Sequence, residues 1–233
     1  MQSTPIHLRP ATELAERVLL PGDPHRALAV AQDILEEPLL FNHARGLWGY
    51  SGRAPDGLPL TVQSTGMGGP SAAIVVDELI ALGARTFIRI GTCGALAEGF
   101  ALGELVTAGD VIAADGLSAS LGVCPRLTAD RGLTAALAAG GAPVVTAVST
   151  DLFYDPRERV RAVWRAAGAE VVEMEAASVL ALTERAGARG AIVLAVSDLL
   201  TGGARRRIER EALEAAGIAL GRAGYGALAR PAR

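Results

Sequence analysis

The residues of this chain that could do chemistry stand where predicted strands end. Arg89 lies in the short β-rich run TFIRI (residues 86–90), and Gly91, Thr92 and Gly94 follow at once. A fixed cation among apolar neighbours is costly unless an anion meets it. Backbone N–H groups of a glycine-rich turn and the Thr92 hydroxyl would complete an anion site at this point. An arginine paired with a structural carboxylate is the alternative interpretation.

A second arginine has a similar setting. Arg26 lies in the predicted first turn of a helix, after a turn that contains Gly22. A cation there opposes the positive end of the helix dipole, and a bound anion would offset this penalty. Gly22 would let the backbone approach such a ligand closely. An exposed arginine without a ligand is the alternative.

Carboxylates and an aromatic residue complete the set of candidates. Glu173 and Glu175 flank Met174 directly after an apolar strand, and helix N-terminal charge explains one of these carboxylates well but both only in part. Asp198 follows the last predicted strand, where such a residue commonly caps the next helix. Phe153 belongs to an adjacent aromatic pair in a chain with only 4% aromatic residues, so it stands out, although such pairs are commonly core filler.

Turns, helices and strands must bring these side chains together. Gly66, Gly68 and Gly69 before Pro70 predict a tight turn and a helix start, and Gly83 predicts the end of that helix. A buried parallel strand that ends in a glycine-rich turn is where open α/β sheets place ligands. Because strands and helices alternate throughout, we expect a single three-layer α/β/α domain with a mixed central β-sheet over residues 1–233.

The remaining predicted elements follow from hydrophobic periodicity and turn residues. Strands are predicted at 17–20, 58–64, 105–114, 143–148 and 190–196, with a hairpin turn near 55–57. Helices are predicted at 26–35, 131–139, 157–168 and 205–229, with a helix opening at 171–177 and a loop at 116–130.

Composition and charge exclude several classes of protein. The chain has 233 residues, 50% of them hydrophobic, and a net charge of −3, so neither a nucleic-acid groove nor a membrane-surface patch is expected. The richest basic run, residues 205–207, is typical of a solvated helix start. Cys93 and Cys124 have neither metal-site nor disulfide spacing. Without a signal pattern or an apolar run of about 18 residues, the expected compartment is the cytoplasm.

The motifs taken together resemble one family. TGMGGPS followed by IRIGTCGA, with LPGDPHRA, VSTDLFY and VEMEAA elsewhere, is similar to the nucleoside phosphorylase family that contains the hexameric purine nucleoside phosphorylases and the uridine phosphorylases. The resemblance covers nearly the whole chain. The motifs are specific in combination, whereas one glycine-rich piece alone is weak.

The resemblance implies binding regions for phosphate, ribose and base. The implied phosphate residues are Gly22, Arg26, Arg89 and Thr92, with Arg45 of a neighbouring subunit. The implied ribose residues are Met174 and Glu175, with His7 of a neighbouring subunit. A carboxylate suits a vicinal diol because it accepts from two donors at once. The implied base residues are Phe153, Glu173 and Ser197, with Asp198 as general acid and Arg207 as its helper, or alternatively Arg206 or Arg210.

The implied reaction is reversible phosphorolysis of a purine nucleoside to free base and ribose 1-phosphate. Inorganic phosphate is then a co-substrate, and no cofactor or metal is expected. Sites shared between subunits imply a homo-oligomer of dimer units, expected to be a hexamer, without a nucleic-acid or membrane partner.

Three alternatives remain at this stage. TGMGGPS and IRIGTCGA are closer to the uridine enzymes, and Arg159 falls where those enzymes place a base-reading arginine, although Arg157 replaces their glutamine. VSTDLFY, VEMEAA and the pair Ser197-Asp198 are closer to the purine enzymes.

A hydrolytic nucleosidase of the same fold would lack the phosphate arginines. A non-catalytic nucleoside-binding protein would bind inosine without releasing its base.

Overall fold

The computed structural model describes residues 5–157, 159–201 and 205–229. The expected alternation of strands and helices is confirmed, and no helix in these ranges is both long and apolar enough to cross a membrane. The strands are β1 Arg17–Pro21, β2 Glu36–Asn42, β3 Gly49–Arg53, β4 Pro59–Gln63, β5 Thr86–Ala95, β6 Leu105–Ala114, β7 Arg126–Thr128, β8 Val144–Thr150, β9 Val171–Glu173, β10 Arg189–Leu199 and β11 Arg206–Arg207. The helices are α1 Pro24–Ile34, α2 Gly69–Ala81, α3 Gly116–Leu121, α4 Arg131–Ala139, α5 Val160–Ala166, α6 Ala176–Arg185 and α7 Arg210–Leu228.

A mixed sheet forms the centre of the molecule, as predicted. Strands β4, β1, β5 and β10 run parallel to one another, whereas β3 and β2 continue the sheet as antiparallel strands. Strand β10 pairs with both β5 and β6, and β6, β8 and β9 lead back to β5, so these strands close a ring. The closure depends on pairings between distant segments, and alternating hydrophobicity in the sequence does not predict them.

Helices cover both faces of the sheet. Helices α1, α4 and α7 pack over one hydrophobic cluster, and α2 and α6 pack over the other. The side chains of β1 alternate between the two clusters, because Leu19 belongs to the first cluster and Val18 and Leu20 belong to the second. Trp164 of α5 anchors a third, smaller cluster. The three-layer α/β arrangement is therefore confirmed.

The turn before α2 has the predicted conformation. Gly66 and Gly68 have φ angles of 73° and 85°, values that a residue with a Cβ atom rarely adopts. Helix α2 then begins at Gly69 with Pro70 in its first turn, where the missing N–H has no cost. The consequence for the site is that the N–H groups at this end of α2 face the carboxyl ends of the strands.

One predicted boundary near the site is wrong. Strand β5 does not end at residue 90 but continues to Ala95, so no turn follows Ile90. Gly91 is needed for space instead, because a Cβ atom there would lie 2.8 Å from Nη2 of Arg89. A Cβ atom at Gly94 would lie 2.7 Å from Cδ1 of Leu200. These glycines let a guanidinium and a leucine lie flat against the strand.

The segments at 116–130 and after 204 also differ from the prediction. The expected loop at 116–130 contains α3 and β7, each too short to show a periodic pattern. The last helix begins at Arg210 and not at 205, because Arg206 and Arg207 pair with the end of β10 as β11. The basic run is therefore a strand beside the end of β10 and not a helix start.

Helix α7 lies close to α1 and β5 through a row of glycines. A Cβ atom at Gly221 would lie 2.7 Å from Cγ1 of Val30, and one at Gly224 would lie 2.9 Å from Cδ2 of Leu19. Gly226 of the same helix is exposed, with nothing within 4 Å of its Cβ position. Gly221 is thus closely packed, whereas Gly226 of the same helix is exposed to solvent.

We expect Gly221→Ala to destabilise the protein by about 1–3 kcal/mol, because the added methyl forces α7 away from a rigid β-branched side chain. Gly226→Ala is the matched control and should stabilise by about 0.5–1 kcal/mol, since alanine favours an exposed helix position over glycine. Urea unfolding of both variants measures the difference. A neutral Gly221→Ala would contradict the close packing.

Candidate active site

Several predicted site residues, together with Gly68, lie where the parallel strands end and helices begin. Arg26 follows β1, Gly68 precedes α2, Arg89 lies on β5, Glu175 precedes α6 and Asp198 lies at the end of β10. This edge of a parallel sheet is where α/β folds bind ligands, because loops and helix N-termini converge there. The fold therefore brings together residues that are far apart in sequence.

Arg89 is the centre of this cluster. Its side chain is only 4% exposed, and its Nε lies 3.0 Å from Oε2 of Glu173 while Nη2 donates to Oε2 of Glu175. Burial alone would lower the pKa of Arg89, but Glu175 and Glu173 raise it on balance. Nη1 is buried, and no acceptor in the described ranges lies within hydrogen-bond distance of it. Arg89 is thus paired with carboxylates and still has one unused donor.

Glu173 holds Arg89 and the start of α6. One carboxylate accepts from Nε of Arg89, from Oγ of Ser149 and from the backbone N–H groups of Glu175 and Ala176, the last two at 2.8 and 2.9 Å. Its side chain has no exposed surface. This placement speaks against the predicted base contact of Glu173, because a side chain without exposed surface does not line a base pocket.

Glu175 faces the same arginine from the other side. Its Oε1 accepts from the backbone N–H of Gly68 at 2.5 Å, and its Oε2 accepts from Arg89. Burial and the like charge of Glu173 raise the pKa of the Glu175 carboxyl, although Arg89 and the Gly68 N–H lower it. Met174, between the two glutamates, is half-buried. The Glu175 carboxylate is thus fixed by α2, β5 and α6 together.

Arg26 brings a second guanidinium to the cluster. Burial lowers the pKa of Arg26 and so does the charge of Arg89, whereas Asp23 and Glu175 raise it. Its Nη1 lies 3.5 Å from the carbonyl oxygen of Ile90, a weak contact that leaves most of its donors unused. The formal charges of Arg26, Arg89, Glu173 and Glu175 cancel. Because donors of both arginines have no partner among the described residues, this cluster is a candidate binding place for an anion.

Gly22 and Thr92 are the other two predicted phosphate residues of this chain. The Gly22 carbonyl accepts from the N–H of Gly66 at 3.0 Å, and a Cβ atom at Gly22 would lie 3.1 Å from the Gly66 carbonyl oxygen. The loops after β1 and β4 thus touch each other, and glycine permits this approach. Thr92 is a half-buried residue of β5, three positions after Arg89.

Asp198 belongs to a second group at the end of β10. Its Oδ2 lies 2.8 Å from Oγ of Ser197, and its Oδ1 accepts from Nε of Arg205 at 2.7 Å. The Arg205 guanidinium also lies over the ring of Phe153, 4.8 Å from the ring centre. Phe153 is 48% exposed and is therefore not core filler. Arg205 thus contacts both Asp198 and Phe153, and Ser197 contacts Asp198 directly.

Arg207 does not have the predicted position. Its backbone pairs with that of Asp198 across β10 and β11, but its side chain is exposed, and Arg205 contacts the carboxylate instead. Arg206 is also exposed, and Arg210 pairs with Glu214 on the surface of α7. The prediction of Arg207 assumed a helix across 205–210, whereas a two-residue strand occupies part of it.

His7 and Arg45, predicted to serve a neighbouring subunit, contact none of the residues above in the described ranges. His7 Nδ1 lies 2.7 Å from Oε1 of Glu78 on α2. Arg45 is exposed in a short 3₁₀ turn and has a positive φ angle of 58°. Their roles at a neighbour's site stay predictions.

Sequence reasoning missed several groups that hold the site together. Ser149 stands at the end of β8, and its hydroxyl gives no signal in the sequence that it will meet Glu173. The Gly68 N–H is a backbone donor, which no residue type announces. Arg205 belonged to a basic run interpreted as solvated. Ser149 and Arg205 can be recognised as site residues only once it is known where strands β8 and β10 end.

The buried pair of Glu173 and Arg89 predicts a measurable stability effect. Glu173→Gln keeps the shape of the side chain but turns an amide NH2 toward several donors. We therefore expect the free energy of unfolding to fall by about 3 kcal/mol. Asp33→Asn is the matched control, since Asp33 pairs with Arg222 at the surface, and its unfolding midpoint should stay nearly unchanged. Equal midpoints for both variants in denaturant unfolding would contradict the importance of the buried pair.

Comparison with known proteins agrees with this geometry. Residues 16–225 match the model of the phosphorylase superfamily. A protein named purine nucleoside phosphorylase DeoD-type from Jannaschia sp. (strain CCS1) is 40% identical over 212 residues, which cover 85% of this chain and 89% of that protein.

Two further proteins with the same name are similarly related. The one from Caldanaerobacter subterraneus subsp. tengcongensis is 35% identical over 210 residues, covering 85% of this chain and 90% of the relative. The one from Geobacillus kaustophilus (strain HTA426) is 35% identical over 220 residues, covering 88% and 91%. The family model matches nearly the whole chain, and the relatives are 35–40% identical over most of its length. The chain therefore belongs to the phosphorylase superfamily, the family of the nucleoside phosphorylases.

Proposed function

We propose that the protein catalyses the reversible phosphorolysis of a purine nucleoside to free base and ribose 1-phosphate. The observation that carries this proposal is the unused Nη1 donor of buried Arg89, beside Arg26 and Glu175. An anion site next to a fixed carboxylate suits phosphate and a ribose diol. The relatives named purine nucleoside phosphorylase support the purine as substrate.

Phosphate is proposed to bind to Arg26 and Arg89, with Gly22 and Thr92 beside it. Guanidinium groups suit this role because they stay charged and bind oxygens in pairs. The charges of the cluster cancel before phosphate binds, so a dianion adds two negative charges that need a further cation. Arg45 of a neighbouring subunit would supply it. Holding phosphate against the anomeric carbon removes the entropic cost of bringing the reactants together.

The ribose is proposed to bind to Glu175 and Met174. Glu175 accepts from the Gly68 N–H and from Arg89, and its carboxylate has further lone pairs for the sugar hydroxyls. Because Arg89 contacts Glu175 and has a donor for phosphate, the two substrates would meet at one guanidinium. This geometry orients the sugar carbon toward the phosphate.

The base is proposed to stack on Phe153 and to receive a proton from Asp198. A phosphate oxygen attacks the anomeric carbon, the glycosidic bond breaks, and its electron pair passes to the base. Asp198 donates a proton to the base as this charge develops. In the unliganded protein Arg205 pairs with Asp198 and covers Phe153. A base that stacks on Phe153 displaces Arg205 and takes its place beside the Asp198 carboxyl.

The active form is proposed to be a homo-oligomer, expected to be a hexamer of dimer units. His7 and Arg45 would complete a neighbour's site, which is why a lone chain would lack part of it. Phosphate is a co-substrate, and no cofactor is part of the proposal. The cytoplasm stays the predicted compartment.

The first test measures base release from inosine, adenosine, guanosine and uridine, each with and without phosphate. We expect phosphate-dependent release from a purine nucleoside, and Arg26→Ala should raise the KM for phosphate roughly 10- to 100-fold by removing a charge-assisted contact. Arg222→Ala, a surface arginine of α7, is the control and should change neither parameter. Release without phosphate would indicate a nucleosidase, and a preference for uridine would overturn the purine assignment.

Asp198→Asn tests the proton donor. The amide keeps the shape but has no carboxylic proton, so inosine phosphorolysis should slow roughly 10²- to 10⁴-fold. 7-Methylguanosine already carries a cationic base and should lose much less. If both substrates slow equally in steady-state assays, Asp198 positions the base without transferring a proton.

A further inference from the structure

One buried carboxylate outside the cluster just described holds the amino-terminal segment. Glu78 of α2 accepts from the backbone N–H groups of Ile6, His7 and Leu8, at 3.0, 3.0 and 2.7 Å respectively. Its Oε1 also lies 2.7 Å from Nδ1 of His7. Glu78 is buried, and Leu8 is 2% exposed and packs in the main core. Three consecutive residues are therefore fixed by a single side chain.

The carboxylate is ionised and has little capacity left for other partners. Burial raises the pKa of Glu78, but the N–H groups of Ile6, Leu8 and His7 and the His7 ring lower it on balance. A carboxylate accepts hydrogen bonds and donates none when ionised. Nδ1 of His7 must therefore carry a proton, and Nε2 is the ring nitrogen left for a second partner. The His7 side chain is 28% exposed, so a partner has access to it.

A second buried side chain connects this segment to the turn that carries Arg45. Oδ1 of Asn42 accepts from the N–H of Arg9 at 2.9 Å, and its Nδ2 donates to the carbonyl of Leu47 at 2.5 Å. The segment with His7 and the turn with Arg45 thus share one fully buried anchor. Neither His7 nor Arg45 contacts the Arg89 cluster of its own chain in the described ranges, and Asn42 connects the two segments that carry them.

We propose that Glu78 is a positioning residue for the active site of a neighbouring subunit, acting through the orientation and the tautomer of His7. The inference rests on the proposed function, in which His7 contacts the ribose bound by another chain. Glu78 lies nine residues after Gly69 on α2, about 14 Å along the helix, so it is remote from the site of its own chain. Its effect is therefore exerted in trans.

The first experiment uses Glu78→Gln, with Asp77→Asn as the matched control. Asp77 is the adjacent, exposed carboxylate on the same helix, so the control makes the same chemical change without touching the segment. We expect kcat/KM for inosine to fall roughly 10- to 100-fold in Glu78→Gln, the usual effect of losing hydrogen bonds to a charged group, and to stay unchanged in the control. The KM for phosphate should change little.

His7→Ala shows whether this loss passes through the imidazole. If Glu78 acts through His7, adding Glu78→Gln to His7→Ala should cause no further loss of kcat/KM. Additive losses in the double variant would overturn the proposal and indicate a general structural role. Nitrogen-15 NMR of labelled histidine provides a readout independent of activity, because the wild type should show a protonated Nδ1 for His7 that Glu78→Gln alters.

Subunit mixing tests the action in trans. Glu78→Gln chains mixed with Asp198→Asn chains under exchange should regain activity, because some sites then combine an intact Asp198 with an intact His7 segment from the other chain. Glu78→Gln mixed with His7→Ala should regain none, since every site receives a defective segment. Failure of the first mixture in confirmed mixed oligomers would overturn the proposal. A wild type without phosphorolysis would instead refute the proposed function.

Discussion

The buried ion pairs of Arg89 are the interaction on which the site depends. A guanidinium with 4% of its side chain exposed is tolerated because Glu173 and Glu175 both contact it. Removing either partner leaves an uncompensated charge in a low-dielectric place, which is far more costly than losing a surface pair. The pairing still leaves Nη1 without an acceptor among the residues that the structure describes. The same residue therefore stabilises the fold and keeps a donor for a ligand.

This constraint explains several features of the surrounding fold. Gly91 has no side chain because the Arg89 guanidinium lies against it. Ser149 and the first N–H groups of α6 complete the hydrogen bonds of Glu173, which places the end of β8 and the start of α6. Gly68 provides a backbone donor to Glu175 from the start of α2. Two helices and two strands are thus positioned around one charged cluster.

Charge balance also connects the site to assembly. The cluster is formally neutral, so a phosphate dianion gains most from a cation that comes from outside the chain. Arg45 is exposed on a turn held by Asn42, and the same asparagine holds the segment that carries His7. In the function proposed above, both features belong to a surface that completes another subunit's site. This proposal then explains both the unused donors of Arg26 and Arg89 and the exposed position of Arg45.

Most of the longer elements, the mixed sheet, the turn before α2 and the family could be predicted from the sequence. Each rests on local signals, namely periodicity, Gly-Pro punctuation and short motifs. Arg89 was recognised as a cation needing an anion, but its carboxylate partners lie more than 80 positions away. Only the tertiary structure decided that Glu173 is fully enclosed, that Arg205 rather than Arg207 contacts Asp198, and that β5 continues past Ile90. The physical reason is that partner choice for a buried charge and register between strands depend on long-range packing, which no local pattern encodes.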